Sequence, residues 1–149
     1  MATDEGTSAG FSAQERTAMR QRAAELKQEA KRSKSAQKAA ADEADLLAKI
    51  EQMPPGDREL AERVHAIVTA TAPDLTARLY YGQPAWARGG KVVVFFRSGQ
   101  MDKERYSTFG VTTHATLDDD AGLWPTSYAL TEPTEQAWET LTDIVRRAT

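Results

Sequence analysis

No cysteine occurs in the 149 residues. That excludes disulfides, thiolate metal sites and cysteine nucleophiles together, and it suits a reducing compartment. Histidine is nearly as scarce. His65 and His114 stand apart, with no second histidine three or four residues away, so no zinc-ligand spacing occurs. Long apolar runs are missing too, and no stretch approaches the ~18 residues that a membrane span requires. The first ten residues, MATDEGTSAG, hold no apolar core of a secretory signal. These absences lead us to expect a cytoplasmic protein that does not engage membranes. The chain also lacks a G-x-S-x-G nucleophile motif, and Gly89-Gly90 lacks the Lys-Ser/Thr context of a phosphate loop. Asp118-Asp119-Asp120 lacks the alternating ligand spacing of a calcium loop. With no catalytic constellation, the chain reads as a binding or assembly protein rather than an enzyme.

What is present divides the chain. Residues 1–40 carry eight Lys or Arg against five Asp or Glu, whereas residues 41–149 carry eleven against seventeen. A basic arm therefore precedes an acidic body. Residues 1–11 read as a disordered tail. Ser12 and Glu15 form an S-x-x-E capping box, and from there to Met53 neither Gly nor Pro occurs. Such a stretch predicts a helix so long that it either breaks, at Ser33-Lys34-Ser35, or projects. Met19, Ala23, Leu26, Ala30, Ser33, Gln37, Ala40, Ala44 and Leu47 follow alternating spacings of four and three, a seam of mostly small residues. Beside it runs a basic stripe of Arg16, Arg20, Lys27, Lys31, Lys34 and Lys38, whose like charges repel at i, i+4 unless an anion offsets them. One reading of Arg20, Lys27, Lys31, Lys34 and Lys38 is a nucleic-acid contact; others are a solvated helix or an acidic partner surface.

From Asp42 onward the pattern is that of a folded α+β domain. Leu46, Leu47, Ile50 and Met53 give the long helix an apolar end, and Pro54-Pro55-Gly56 stops it. Asp57 suits the N-cap of a second helix reaching about Thr71, with Leu60, Val64, Ile67 and Val68 inward. Leu79 to Tyr81 is β-prone. Ala85–Arg88 and Lys91–Arg97 around Gly89-Gly90 read as a tight hairpin. Val92 to Phe96 is apolar on both faces, which predicts a central strand with cover on each side. The second and last helices supply one cover; the N-terminal helix or a second subunit are candidates for the other. Arg105–Val111 and Ser127–Leu130 read as further strands, separated by a helical turn and an acidic loop. Thr131 or Thr134 caps a closing helix with Ala137, Trp138, Leu141, Ile144 and Val145 inward.

Tyr81-Gly82-Gln83-Pro84-Ala85-Trp86, then Gly90-Lys91 and the Val92–Phe96 strand, resembles the signature of the YdhG-like domain family. Tyr106-Ser107-Thr108-Phe109-Gly110 stands near the family's later strand, and Leu130-Thr131 to Ile144 at its closing helix. The resemblance covers about residues 43–147 and leaves 12–41 as a helical extension before a domain at 42–149. It implies a frataxin-like sandwich, a small antiparallel sheet with helices on one face, and in one version an intracellular iron-binding or chaperone role. Iron would then be held weakly by Asp42, Glu43 and Asp45, in the company of Glu51. The candidate ligand-binding residues are Tyr81, Gly82, Pro84, Trp86, Lys91 and Tyr106. They belong to a run of aromatics interleaved with Arg88, Lys91, Arg97, Lys103 and Arg105, a surface suited to an anionic or aromatic small molecule or to stacked bases. Core aromatics with cationic strand edges are the alternative. Partners are thus a small ligand or protein, or nucleic acid through the helix, with the chain a monomer or a homodimer.

Overall fold

Ser12 starts the first helix as its capping-box position predicts, its hydroxyl accepting from the Glu15 N–H at 3.1 Å. The computed structural model describes residues 12–149, so the tail expected at 1–11 lies outside the described residues. Helix α1 spans Ala13–Glu51 without interruption. No break occurs at Ser33-Lys34-Ser35, because two serines among strong helix formers cost only tenths of a kcal/mol each. The chain divides into two units, Met1–Lys38 and Ala39–Thr149. In the first, each described residue is exposed, including the seam residues Met19 and Leu26 at 52% and 49%.

The second unit contains the end of α1, helix α2 (Pro55–Thr71), five strands and helix α3 (Glu135–Ala148). The strands are β1 (Thr76–Tyr80), β2 (Gln83–Arg88), β3 (Lys91–Arg97), β4 (Ser107–Val111) and β5 (Ser127–Leu130), in the antiparallel order β1-β2-β3-β4-β5. β3 is therefore central, as its doubly apolar pattern predicts. Gly89 and Gly90 take φ of 58° and 80°, the primed turn that a two-residue hairpin requires. The register shifts between Trp86 and Ala87, a bulge opposite Val92–Val94 that lets consecutive valines of β3 all be buried.

One face of the sheet packs on helices. Leu46 and Ile50 of α1, Leu60, Val64 and Val68 of α2, and Trp138, Leu141 and Val145 of α3 join Trp86, Val94, Phe96 and Phe109 in one cluster. Fully burying side chains such as Phe96 and Phe109 stabilises by roughly 1.5–3 kcal/mol each. The other face needs no helix. Its apolar residues Ala85, Ala87 and Val92 are covered by the half-buried rings of Tyr80 and Phe95. Small alanines under two rings make a buried surface without a second layer.

Four local expectations change. Leu47, expected on the apolar face at the end of α1, is exposed at 43%. Asp57 does not cap α2: Pro54 holds the N-cap position without a side-chain bond, and Asp57 is buried in the first turn. Ala137 faces solvent; of the two candidate caps, Thr131 and Thr134, it is Thr134 that caps α3, accepting from the Ala137 N–H at 3.2 Å. Residues 112–126 contain no helix and form an irregular loop between β4 and β5.

Candidate functional site: an aromatic and cationic groove on the open sheet face

The β1–β2 turn brings the first aromatic residues out of the sheet. Tyr80 pairs with Gln83 across the strands, leaving Tyr81 and Gly82 as a two-residue turn with φ of 49° and 77°. Glycine accepts that conformation freely, whereas a tyrosine there is strained by about 1 kcal/mol or more. Tyr81 is also 80% exposed, with its ring edge-on to Tyr80 at 4.6 Å. Tyr80 in turn lies 5.8 Å from Phe95. Phe95 is paired with Gly110, and its ring tip rests where a Cβ would stand on that glycine. An aromatic ring laid over a cross-strand glycine is a recurrent way to cover the bare backbone.

The 112–126 loop forms the other wall. Thr112 anchors its start, donating from its hydroxyl to the Val92 carbonyl at 2.5 Å and accepting from the His114 N–H at 3.1 Å. Thr126 anchors its end, with its carbonyl accepting from the Val111 N–H at 2.9 Å. Between sheet and loop lies a groove of about 600 Å³ with Tyr80, Phe95 and Trp124 as aromatic lining and Asp118 at its edge. A second depression of about 380 Å³ shares Tyr80, Thr112 and Thr113 with it, and adds Arg78, Lys91 and His114. The two therefore adjoin, one aromatic and one cationic. Arg78 is held at the cationic end by bonds to the Leu79 and Gly90 carbonyls at 3.3 and 3.5 Å. Lys91 is exposed and has no ion-pair partner among the described residues, whereas Arg88 and Arg97 are engaged by Asp74 and Asp102 at 2.7 and 2.9 Å.

The expected site residues are thus divided among different places. Tyr81, Gly82 and Lys91 belong to this face. Pro84 and Trp86 are buried, and alternation along β2 turns them away from Ala85 and Ala87, with Trp86 in the cluster on the helix side. Tyr106 lies elsewhere, under the Arg105 guanidinium at 4.9 Å, beside a depression lined by Gly56, Gln100 and Glu132. Arg78, Thr112 and Trp124 are distinguished by no motif. Only strand alternation, which puts Arg78, Tyr80 and Ala85 on one face, could have pointed to Arg78.

Trp86 has a different function. Its indole N–H donates to His65 Nδ1 at 3.1 Å, with the rings stacked at 6.0 Å. An indole can only donate, so Nδ1 must be unprotonated and the neutral ring carries its proton on Nε2. That N–H lies 3.8 Å from Glu43 Oε1, too far for a direct bond. Burial pushes the His65 pKa down, and the Glu43 charge opposes this in part. With Nε2 protonated the ring is a donor, not a base. Asp42, Glu43 and Asp45 occupy successive directions around α1 at about 100° per residue. They do not converge, and among the described residues no three His, Asp or Glu side chains do.

A buried polar knot ties the 98–107 loop to α2. Asp57 accepts from the Ser98 hydroxyl at 2.5 Å and the Gln100 N–H at 2.9 Å. Gln83 Oε1 accepts from the Ser98 N–H at 3.0 Å, and the Ser107 hydroxyl accepts from the Gly99 N–H at 3.0 Å. Among the described residues no buried side-chain polar atom lacks a partner, so the polar groups of this knot are satisfied within the fold. No helix among the described residues is long and apolar enough to cross a membrane.

No family model matches the chain, nor does any curated protein or solved structure.

Proposed function

We propose that residues 39–149 form a non-catalytic, YdhG-like binding domain whose ligand is a small aromatic anion. The observation that carries this is the adjoining pair of depressions on the open face. Tyr80, Phe95 and Trp124 offer π-surface at one end, and Arg78, Lys91 and His114 offer donors at the other. A ring gains about 1–3 kcal/mol from stacking on such side chains. A phosphate or carboxylate gains charge-assisted hydrogen bonds from Arg78 and Lys91. Asp118 repels an anion from the aromatic end and so fixes the ligand's direction. The strained, exposed Tyr81 adjoins the aromatic end and can close over a bound ring. The antiparallel sheet with helices on one face agrees in outline with the YdhG-like reading. The iron version finds no support in the scattered carboxylates of α1.

Phenyl phosphate is the test ligand, with inorganic phosphate and phenol as its two halves. Amide and indole NMR shifts at Tyr80, Phe95, Lys91 and Trp124 are expected at millimolar phenyl phosphate. Lys91→Gln should weaken binding severalfold. Absence of shifts at those residues, or equal binding of inorganic phosphate alone, refutes the proposal.

A further inference from the structure

The basic stripe of α1 is cleaner than its composition suggests. At about 100° per residue, Arg16, Arg20, Lys27, Lys31, Lys34 and Lys38 fall within about 60° of arc. The three acids of the exposed segment, Glu15, Glu25 and Glu29, fall on the far side of the helix by the same count. Arg22 stands there with them, 3.2 Å from Glu25 and 4.0 Å from Glu29. Glu25 and Glu29 are therefore paired locally, and Glu15 stands off the stripe by the same count, so none of the three lies among its cations. Residues 12–38 carry eight Lys or Arg against three Glu, and every one of these residues is exposed. Arg16, Arg20, Lys27, Lys31 and Lys34 have no ion-pair partner among the described residues. Like charges held at i, i+4 on a rigid helix oppose its formation, so an external polyanion offsets a cost already present.

We propose that this face docks on the phosphate backbone of duplex DNA, without base specificity. The charge complementarity is linear: from Arg16 to Lys34 the stripe extends about 27 Å at 1.5 Å per residue, the scale of a DNA groove wall. Residues 12–38 contain no aromatic side chain on which an unpaired base could stack, which argues against a single strand. The deep, narrow major groove of duplex RNA admits a helix poorly. Within residues 12–38, Met19 and Leu26 are the only large apolar residues among alanines, too little to insert into a lipid surface.

The test is fluorescence anisotropy of the full chain on an arbitrary duplex of about 20 base pairs, titrated across salt. Five phosphate contacts give a log–log salt slope of about −4.5, a loss of about 500-fold between roughly 50 and 200 mM salt. Lys27→Gln with Lys31→Gln should flatten the slope by about 2 and weaken binding roughly 50-fold at about 0.1 M salt. Arg22→Gln with Arg32→Gln removes the same charge from outside the stripe and should change affinity by less than about threefold. Equal losses from the two pairs would show that net charge, not the stripe, is responsible, and would overturn the proposal. So would tighter binding to single strands or to anionic lipid vesicles, or no binding at about 50 mM salt.

Discussion

Adding one methyl group at Gly110 tests how the open face is built. A Cβ there would lie 2.7 Å from Cε1 and Cε2 of Phe95 and nearer still to Cζ. Carbon atoms pack at about 3.5–4.0 Å, so the ring must retreat by roughly 1 Å or more. It cannot retreat freely, because Tyr80 lies 5.8 Å away and Ala85, Ala87 and Val92 are packed beneath. Overpacking of this kind costs about 1–3 kcal/mol. Alanine in place of glycine inside a strand returns up to about 1 kcal/mol. Gly110→Ala should therefore destabilise by about 1–2 kcal/mol. Phe95→Ala alone should cost about 2 kcal/mol, below the 3–5 of a fully buried ring because Phe95 is half-buried. With the ring gone, however, the methyl group has room, and Gly110→Ala in the Phe95→Ala background should be neutral or slightly stabilising. The double-mutant cycle then shows a coupling of about 2 kcal/mol, well above the ~0.5 expected for independent sites. Urea unfolding followed by tryptophan fluorescence measures all four proteins, provided the m-values agree. If the two substitutions simply add, the ring does not rest on the glycine and the described face is wrong.

Two further perturbations probe the buried polar groups. Asp57→Ala strands the Ser98 hydroxyl and the Gln100 N–H, at about 1–3 kcal/mol each, so urea unfolding should show a loss of about 2–5 kcal/mol. Asp57→Asn, which keeps one acceptor oxygen, should lose less. His65 binds its proton less readily folded than unfolded, so stability should be full above about pH 6.5 and fall as pH drops from there toward the lowered folded value. Protonation sets two donors, Nδ1–H and the Trp86 indole, against each other. His65→Gln, which retains an acceptor but cannot titrate, should remove that slope in thermal melts; an unchanged slope would assign it to another group.

Periodicity made most of the fold legible. The Ser12 helix start, the Gly89-Gly90 hairpin and the central β3 are each where the pattern places them, and the closing helix is capped by Thr134, one of its two candidates. Asp57 misleads because its residue type suits an N-cap equally well, and only the distant Ser98 and Gln100 decide its role. The candidate site was half legible for a related reason. The motif Tyr81 to Trp86 is contiguous in sequence, but a strand sends alternate residues to opposite faces, so Tyr81 and Trp86 end in different places. Trp124 comes from an irregular loop, whose path no periodicity describes.

The face opposite the helices sharpens what a doubly apolar strand implies. Val92 to Phe96 calls for burial on both sides, and a second layer of secondary structure is the usual means. Here β2 contributes Ala85 and Ala87 to that side, residues with little area to hide, and Tyr80 and Phe95 pack against it. Burial on that face is thus met by two rings rather than by an element. Rings serving as a roof keep an exposed edge and face of their own, unlike the leucines of a packed helix. The same economy that removes the need for a second layer leaves π-surface beside Trp124 and next to Arg78 and Lys91. The groove is therefore a consequence of how β2 and β3 are covered. Any substitution that fills the space over Ala85 or Ala87 should change stability and binding of the proposed aromatic anion together, while Lys91→Gln should change that binding alone.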